Sequence, residues 1–454
     1  MDDKVSGSRI RRLGRLVWTS RQMVPMALSR WRGRGEASLE EDPAVVRAAE
    51  ELLGTLGDLK GLALKVGQML SYMDGALPAD AEPVYRRVLA KLQRDAPSLS
   101  WDAVQRVLEA ELGDISSHFA EIEPAPFAAA SIGQVHHARL HDGTAVAVKV
   151  QYPGIEEAIL ADLKNLDGVK SLARPFLSAL GAGSNVEMAD NVMAEVRARL
   201  LEELDYEHEA AMQRRFADMF APYDDLVVPR VHEQASTRRV LTTTFEDGAS
   251  LEEVADEAPD ELRQRWALAL TRAVTDQLYV HHLFNGDPHP GNYLFRRDGR
   301  VVLLDFGCVK AITPKMVSDM SAHLRAAIKA TRTDAPEDWK AFEAAFVHSL
   351  ELQGAEQAVI DLVGDLLIYA LRPVLRDEVF AFTPEYTAGI NDLLLEGKRK
   401  IVFGDGRIPH IPKIPASPGD YTFINRLQWG FYSVLTRLRA RVNWHRLLPE
   451  DLRT

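Results

Sequence analysis

The amino-acid sequence predicts an α+β protein of two lobes, the first rich in strands and the second mostly helical, behind a helical N-terminal extension. Three observations carry that expectation. Residues 135–140 and 145–150 alternate in polarity around an Asp142-Gly143 turn, the pattern of paired, half-buried strands. Residues 260–282 and most of the chain beyond 314 read as helix, with a Pro-rich interruption at 408–418. Between them, residues 285–307 read NGDPHPGNYLFRRDGRVVLLDFG, a turn-rich run and then two short apolar strands around a polar Arg-Arg-Asp-Gly turn. The division expected is a basic arm over 1–40, a helical extension over 41–121, a strand-rich lobe over 122–247 and a helical lobe over 248–454.

Composition bounds the function. A chain of 454 residues has material for two or three compact units, and 46% hydrophobic with 26% charged residues is ordinary for a soluble globular protein. The net charge of −12 speaks against a general nucleic-acid binder, so no nucleic-acid partner is expected. The single cysteine, Cys308, excludes an internal disulfide and a cysteine-rich zinc site, and reads as a small core residue. No run of about 20 uncharged apolar residues occurs; the best candidate, 359–375, is broken by Asp361, Asp365, Arg372 and Pro373. No secretory signal pattern is expected at the N-terminus.

In chain order, the first segment carries Arg9, Arg11, Arg12, Arg15, Arg21, Arg30, Arg32 and Arg34 among Ile10, Leu13, Trp18, Met23, Leu28 and Trp31. Such an arm can lie on an anionic membrane surface; a mobile solvated tail and a transit segment are the competing readings. Residues 42–72 follow a helical stripe of Leu52, Leu56, Leu59, Ala63, Val66 and Leu70, with Lys65 and Gln68 on a shared side. Further helices are expected at 81–92 and 101–112. The strand-rich lobe opens on a small-residue loop, Ala128, Ala129, Ala130, Ser131, and reaches Val146-Ala147-Val148-Lys149 on a strand. Helical patterns at 156–182 and 191–220 follow, the second containing Glu203, Asp205 and Glu209 in a run of acids whose plain reading is a solvated face. Strands are expected at 227–231 and 239–245, and then Glu246 in a Phe-Glu-Asp-Gly connection to the helical lobe.

The stretch 285–307 gives these elements a chemistry. Phosphoryl transfer needs a carboxylate to orient the attacking group, and an amide and a second carboxylate to hold Mg²⁺ against phosphates. Asp287, Asn292 and Asp305 supply all three, and an Asp, four residues, an Asn and a later strand ending in Asp-Phe-Gly is the arrangement of a protein-kinase-like fold. In that fold Lys149 would contact the α- and β-phosphates, with Glu209 as its helical ion-pair partner. The connection at Glu246 would be the hinge that offers backbone groups to adenine. Where a protein kinase has several loop glycines this chain keeps one, Gly133, so the loop should be stiffer and grip phosphates differently.

Taken in order, Lys65-Val66-Gly67-Gln68, the AAASIGQVHHA loop, Lys149 before Gln151-Tyr152-Pro153-Gly154, Glu203-Leu204-Asp205-Tyr206, NGDPHPGN and Asp305-Phe306-Gly307 resemble the UbiB/AarF atypical kinase family. The resemblance implies a nucleotide ligand, ATP or ADP with Mg²⁺, with Asn292 and Asp305 as metal ligands, Asp287 at the catalytic-base position, and Ala128 to Ser131 with Lys149 and Glu246 around the nucleotide. It implies that Lys65 and Gln68 gate the site beside Glu203 and Asp205. It also implies a role in ubiquinone (isoprenoid lipid) biosynthesis or lipid homeostasis, as a Mg-dependent ATPase or a kinase of a small molecule or lipid. Expected partners are an isoprenoid or phenolic lipid precursor, quinone-biosynthesis proteins, and an anionic membrane met by the basic arm from the cytoplasm. Two departures from ordinary protein kinases stand out, the alanine loop and Asn285 where histidine precedes the catalytic Asp. A nucleotide-dependent scaffold without turnover, an aminoglycoside- or choline-type phosphotransferase sharing the GDPHPGN loop, and a protein kinase are the alternatives.

Overall fold

The computed structural model describes residues 100–130, 132–160, 197, 201–403 and 419–453. In chain order the first elements are α1 (Trp101–Leu112), α2 (Ile115–His118), β1 (Glu121–Ala129), β2 (Gly133–Arg139), β3 (Ala145–Gln151), α3 (Tyr206–Phe220), β4 (Leu226–Val227) and β5 (Val240–Thr244). The chain forms two compact units: one takes the described residues up to Glu209 with 231–245, the other 210–230 with everything from Glu246 onward.

The first unit is an antiparallel sheet in the order β1-β2-β3-β5. The period-two pattern decides which side chains meet the core. Val146, Val148 and Val150 of β3 are buried with Val104, Val107 and Leu108 of α1 in one apolar cluster, so Ala147 and Lys149 emerge on the opposite face. Gly143, at φ +87°, turns the chain between β2 and β3, and Asp142 Oδ1 accepts the Thr144 N–H at 2.8 Å.

Strand β1 is a correction to the sequence reading, in which Ala128 and Ala129 belonged to the loop. Both are strand residues here, paired with Val135 and Gln134. Pro124 and Pro126 hide this strand in the sequence, because proline cannot donate to a ladder. At the edge of a sheet that loss is tolerated, and the pairing shifts register around Pro126. The helix expected over 191–220 is likewise interrupted: residues 201–203 are helical, the chain breaks at Leu204 and Asp205, and α3 starts at Tyr206. Asp205 explains the restart, since its Oδ1 accepts the His208 N–H at 3.1 Å as a helix cap. The strand expected over 227–231 shrinks to β4 and a single bridge from Val231 to Thr243.

The second unit continues with α4 (Leu251–Glu257), α5 (Asp260–Tyr279), β6 (Leu283–Asn285), β7 (Tyr293–Phe295), β8 (Val301–Leu303), β9 (Val309–Ala311), α6 (Pro314–Thr333), α7 (Pro336–Ser349), α8 (Gln357–Leu375), β10 (Phe380–Ala381), α9 (Pro384–Phe403), α10 (Gly419–Arg437) and β11 (Arg441–Val442). Helix α4 opens on a capping box, Ser250 with Glu253. Helix α5 stops at Tyr279, short of the expected His282, which adopts φ +52° as the chain turns into β6. The core joins Trp266 and Leu270 of α5, Phe295, Val301, Phe306, and Phe431 and Leu435 of α10. Strand β8 is central, antiparallel to β7 and parallel to β4, while β6 pairs with β9. These two small sheets hold both ends of the stretch 285–307. At the surface, Arg437, Arg439 and Arg441 pair with Glu252, Asp256 and Asp260, tying the end of α10 and β11 to α4 and α5.

Candidate functional site

In the first unit Lys149 points from β3 to α3. Its Nζ donates to both carboxylate oxygens of Glu209 at 2.8 and 2.9 Å. The same ammonium lies 4.7 Å from the centre of the Tyr206 ring, a cation–π contact. The side chain of Glu209 is 6% exposed and that of Lys149 is 22% exposed, so the pair is largely removed from water. Tyr206 is a residue that sequence reasoning quoted in a motif without giving it a role. It is one helical turn from Glu209, and that spacing is the signal that could have found it.

The loop between β1 and β2 is short. The Ala130 N–H bonds the Gly133 carbonyl at 2.8 Å, and the Tyr152 N–H bonds the Ile132 carbonyl at 2.9 Å. Ser131 lies outside the described residues. Gly133 is required by close approach: a Cβ there would sit 2.2 Å from the Val150 carbonyl oxygen and 3.1 Å from the Tyr206 hydroxyl. Buried His136 on β2 places Nδ1 2.8 Å from the Glu123 carbonyl and Nε2 2.9 Å from Gln134 Nε2, and burial lowers its pKa. Glu203, just before the break that precedes α3, and Asp205, within it, are half-buried. Lys65 and Gln68 lie outside the described residues.

In the second unit the residues of 285–307 are tied together through the main chain. Asn292 Nδ2 donates to the Asp287 carbonyl at 2.9 Å, and the Asn292 carbonyl accepts the Leu304 N–H at 3.0 Å. That bond continues the β7–β8 ladder and puts Asn292 beside the residue preceding Asp305. Asp305 Oδ1 accepts the Gly307 N–H at 2.9 Å. Phe306 between them is fully buried, its ring 5.1 Å from Phe216 of α3. Burial of this ring anchors the Asp305 backbone. Cys308 is buried, as expected of a small core residue, and its carbonyl accepts the Gly286 N–H at 2.9 Å. Glu246, where the chain re-enters this unit, spends its carboxylate on Arg296 at 2.8 Å.

The donor set suits a hard cation. Asn292 and Asp305 bring an amide oxygen and a carboxylate to neighbouring positions, and Mg²⁺ takes few protein oxygens because phosphates and waters complete its shell. Among the described residues no group of three or more His, Cys, Asp or Glu is gathered together. No helix among them is long and apolar enough to cross a membrane.

A lysine strand answered by a helical glutamate, with an Asp–Asn loop leading to Asp-Phe-Gly, defines a protein-kinase-like fold. The chain belongs to the UbiB/AarF atypical kinases: the model of the ABC1 atypical kinase-like domain matches residues 91–337. It is similar to the mitochondrial atypical kinase COQ8B of Rattus norvegicus, 30% identical over 398 residues that cover 87% of this chain and 70% of that protein. It is also similar to the mitochondrial atypical kinase coq-8 of Caenorhabditis elegans, 28% identical over 91% of this chain, although it spans only 52% of that protein's length. Among solved structures, the Rv3197–erythromycin complex from Mycobacterium tuberculosis matches with a TM-score of 0.59 and 29% identity, covering 88% of this chain and 94% of that one.

Proposed function

We propose that this protein binds ATP or ADP with Mg²⁺ and hydrolyses ATP, or transfers its γ-phosphoryl group to a small molecule or lipid, in support of ubiquinone (isoprenoid lipid) biosynthesis or lipid homeostasis. The observation that carries the reading is the Lys149–Glu209 pair, a half-buried ammonium on a buried carboxylate, with both carboxylate oxygens on the one ammonium. A strand lysine held this way is fixed in direction, and its charge can neutralise the α- and β-phosphates. Ala128, Ala129, Ala130 and Ser131 would line the phosphates, and main-chain groups at Glu246 would meet the adenine. Asn292 and Asp305 would hold the metal, which when bound neutralises charge developing on the phosphates. Asp287 would accept the hydrogen bond of the attacking water or hydroxyl and take its proton as the oxygen–phosphorus bond forms and ADP leaves.

The basic arm would bring the protein to an anionic membrane from the cytoplasmic side. An isoprenoid or phenolic precursor and other quinone-biosynthesis proteins would be its partners there. Lys65 and Gln68, with Glu203 and Asp205, would gate entry of the acceptor.

The test is Mg²⁺-dependent ATP hydrolysis by the full chain, with and without anionic liposomes, in wild type and Asp305→Asn. Turnover that rises on liposomes and falls by about a thousandfold in the variant is expected, since a ligand to the metal is lost. Equal and negligible turnover in both, with ADP still bound by wild type, would replace the enzyme reading with a nucleotide-dependent scaffold.

A further inference from the structure

Asn285 stands two residues before Asp287, and by sequence alone it is only a departure from the histidine of protein kinases. In the structure both ends of its side chain are in use. Nδ2 donates to the main-chain carbonyl of Asp305. Oδ1 accepts the main-chain N–H of Asp287 at 3.1 Å. Its own N–H is tied at 2.9 Å to Oε1 of Gln277, a buried side chain on α5. An amide can donate at one end and accept at the other, whereas a carboxylate of the same shape only accepts and alanine does neither.

These bonds close a circuit with those already described. Asn285 joins the Asp305 carbonyl to the Asp287 N–H, the Asn292 side chain joins the Asp287 carbonyl, and the Asn292 carbonyl takes the N–H of Leu304, which is covalently next to Asp305. Both expected metal ligands and the expected base therefore belong to one ring of main-chain contacts. Asn285 is the member that spans from the catalytic loop to Asp305 from the β6 side. The pairing of Asn285 with Val309 and the anchor to Gln277 fix where that span begins.

We propose that Asn285 is a positioning residue that sets the register of Asp305 against Asp287 and Asn292, and so couples metal binding to nucleotide binding. This rests on the Mg-nucleotide reading above. Asn285 would act through the backbone of Asp305 and Asp287, to which its side chain is bonded.

The test is calorimetric titration of the full-length protein with ADP, with and without Mg²⁺, in wild type, Asn285→Ala and the isosteric Asn285→Asp. In wild type, Mg²⁺ is expected to tighten ADP binding. In both variants that tightening should shrink about tenfold, the worth of one good hydrogen bond, while metal-free ADP affinity stays within about twofold. Equal loss in Asp and Ala would locate the effect in the bond to Asp305, since Asp keeps the acceptor. Unchanged tightening in the variants would overturn the assignment of Asn285 alone, and so would a parallel loss of metal-free affinity, which marks a merely structural role. No tightening in wild type would instead bring down the Mg-nucleotide reading and this inference with it.

Discussion

The lysine region and the catalytic-loop region are assembled in opposite ways. Lys149 and Glu209 come from positions 60 residues apart and are joined side chain to side chain by charge. Asp287, Asn292 and Asp305 come from one short stretch and are held by hydrogen bonds that each have a main-chain group as one partner. The first arrangement depends on what burial does to a charge, and the second on backbone register. Substitutions that alter charge should therefore act most in the first, and those that alter hydrogen-bonding shape most in the second.

The largest expected effect on stability tests the charge side of that contrast. Lys149→Ala leaves the Glu209 carboxylate, 6% exposed, without its cation, and should lower unfolding stability by about 3 kcal/mol. Glu209→Gln leaves the better-solvated Lys149 beside the Tyr206 ring, and should cost roughly half as much. Urea unfolding of both variants reads the difference. A costlier Glu209→Gln would mean that burial of the carboxylate does not govern the pair.

Backbone tightness gives a contrast of similar size. Gly133→Ala forces a Cβ to 2.2 Å from the Val150 carbonyl oxygen and should cost about 3 kcal/mol, because neither paired strand can move away. Gly286→Ala meets its nearest neighbour, the Cys308 carbonyl oxygen, at 3.3 Å and should cost less than about 1 kcal/mol. Equal melting temperatures for the two variants would break the claim that the sheet is the tighter frame.

One source of acid sensitivity lies outside both regions, in the interior of the second unit. His323 on α6 is buried against the Ser349 hydroxyl, and desolvation pushes its pKa down to about 4 despite the opposing pull of Asp319. Its pKa is therefore below the ordinary value of about 6.5, and the unfolded chain binds the extra proton first. Stability contributed by the neutral imidazole is complete above about pH 6.5 and is lost as the pH falls towards about 4, by about 3 kcal/mol. His323→Gln should flatten that slope in denaturant titrations across the window. An unchanged slope would move the acid sensitivity elsewhere.

The smallest effect is local. Ser250→Ala removes one side of the capping box of α4 and should cost about 1 kcal/mol, with the proposed ATP turnover unchanged. A change in ATP turnover without a matching change in melting temperature would show that α4 bears on the chemistry after all.

Much of the fold was legible because it is written in local pattern. The helix over Trp101–Leu112 and the hairpin of β7 and β8 follow from apolar periodicity and turn residues within a dozen positions. Strand β1 was not legible, because proline signals against strands and only the edge position in the assembled sheet makes it harmless. The break at Leu204 and Asp205 was missed for a related reason: the acidic run reads as continuous helix until Asp205 turns its side chain back onto the main chain.

For the candidate site, which residue types stand at 149, 287, 292 and 305, and in what order, is legible along the chain. Those identities and spacings are properties of the chain, independent of how it folds. Only the tertiary structure decided how they are held. It brought Glu209 to Lys149 across 60 residues, slid Tyr206 under the ammonium, and turned Asn285 from a mismatch into a link between Asp287 and Asp305. The physical reason is that a hydrogen bond or a buried charge pair exists only once burial and backbone register have fixed both partners, and neither is encoded in the neighbours of a residue along the chain.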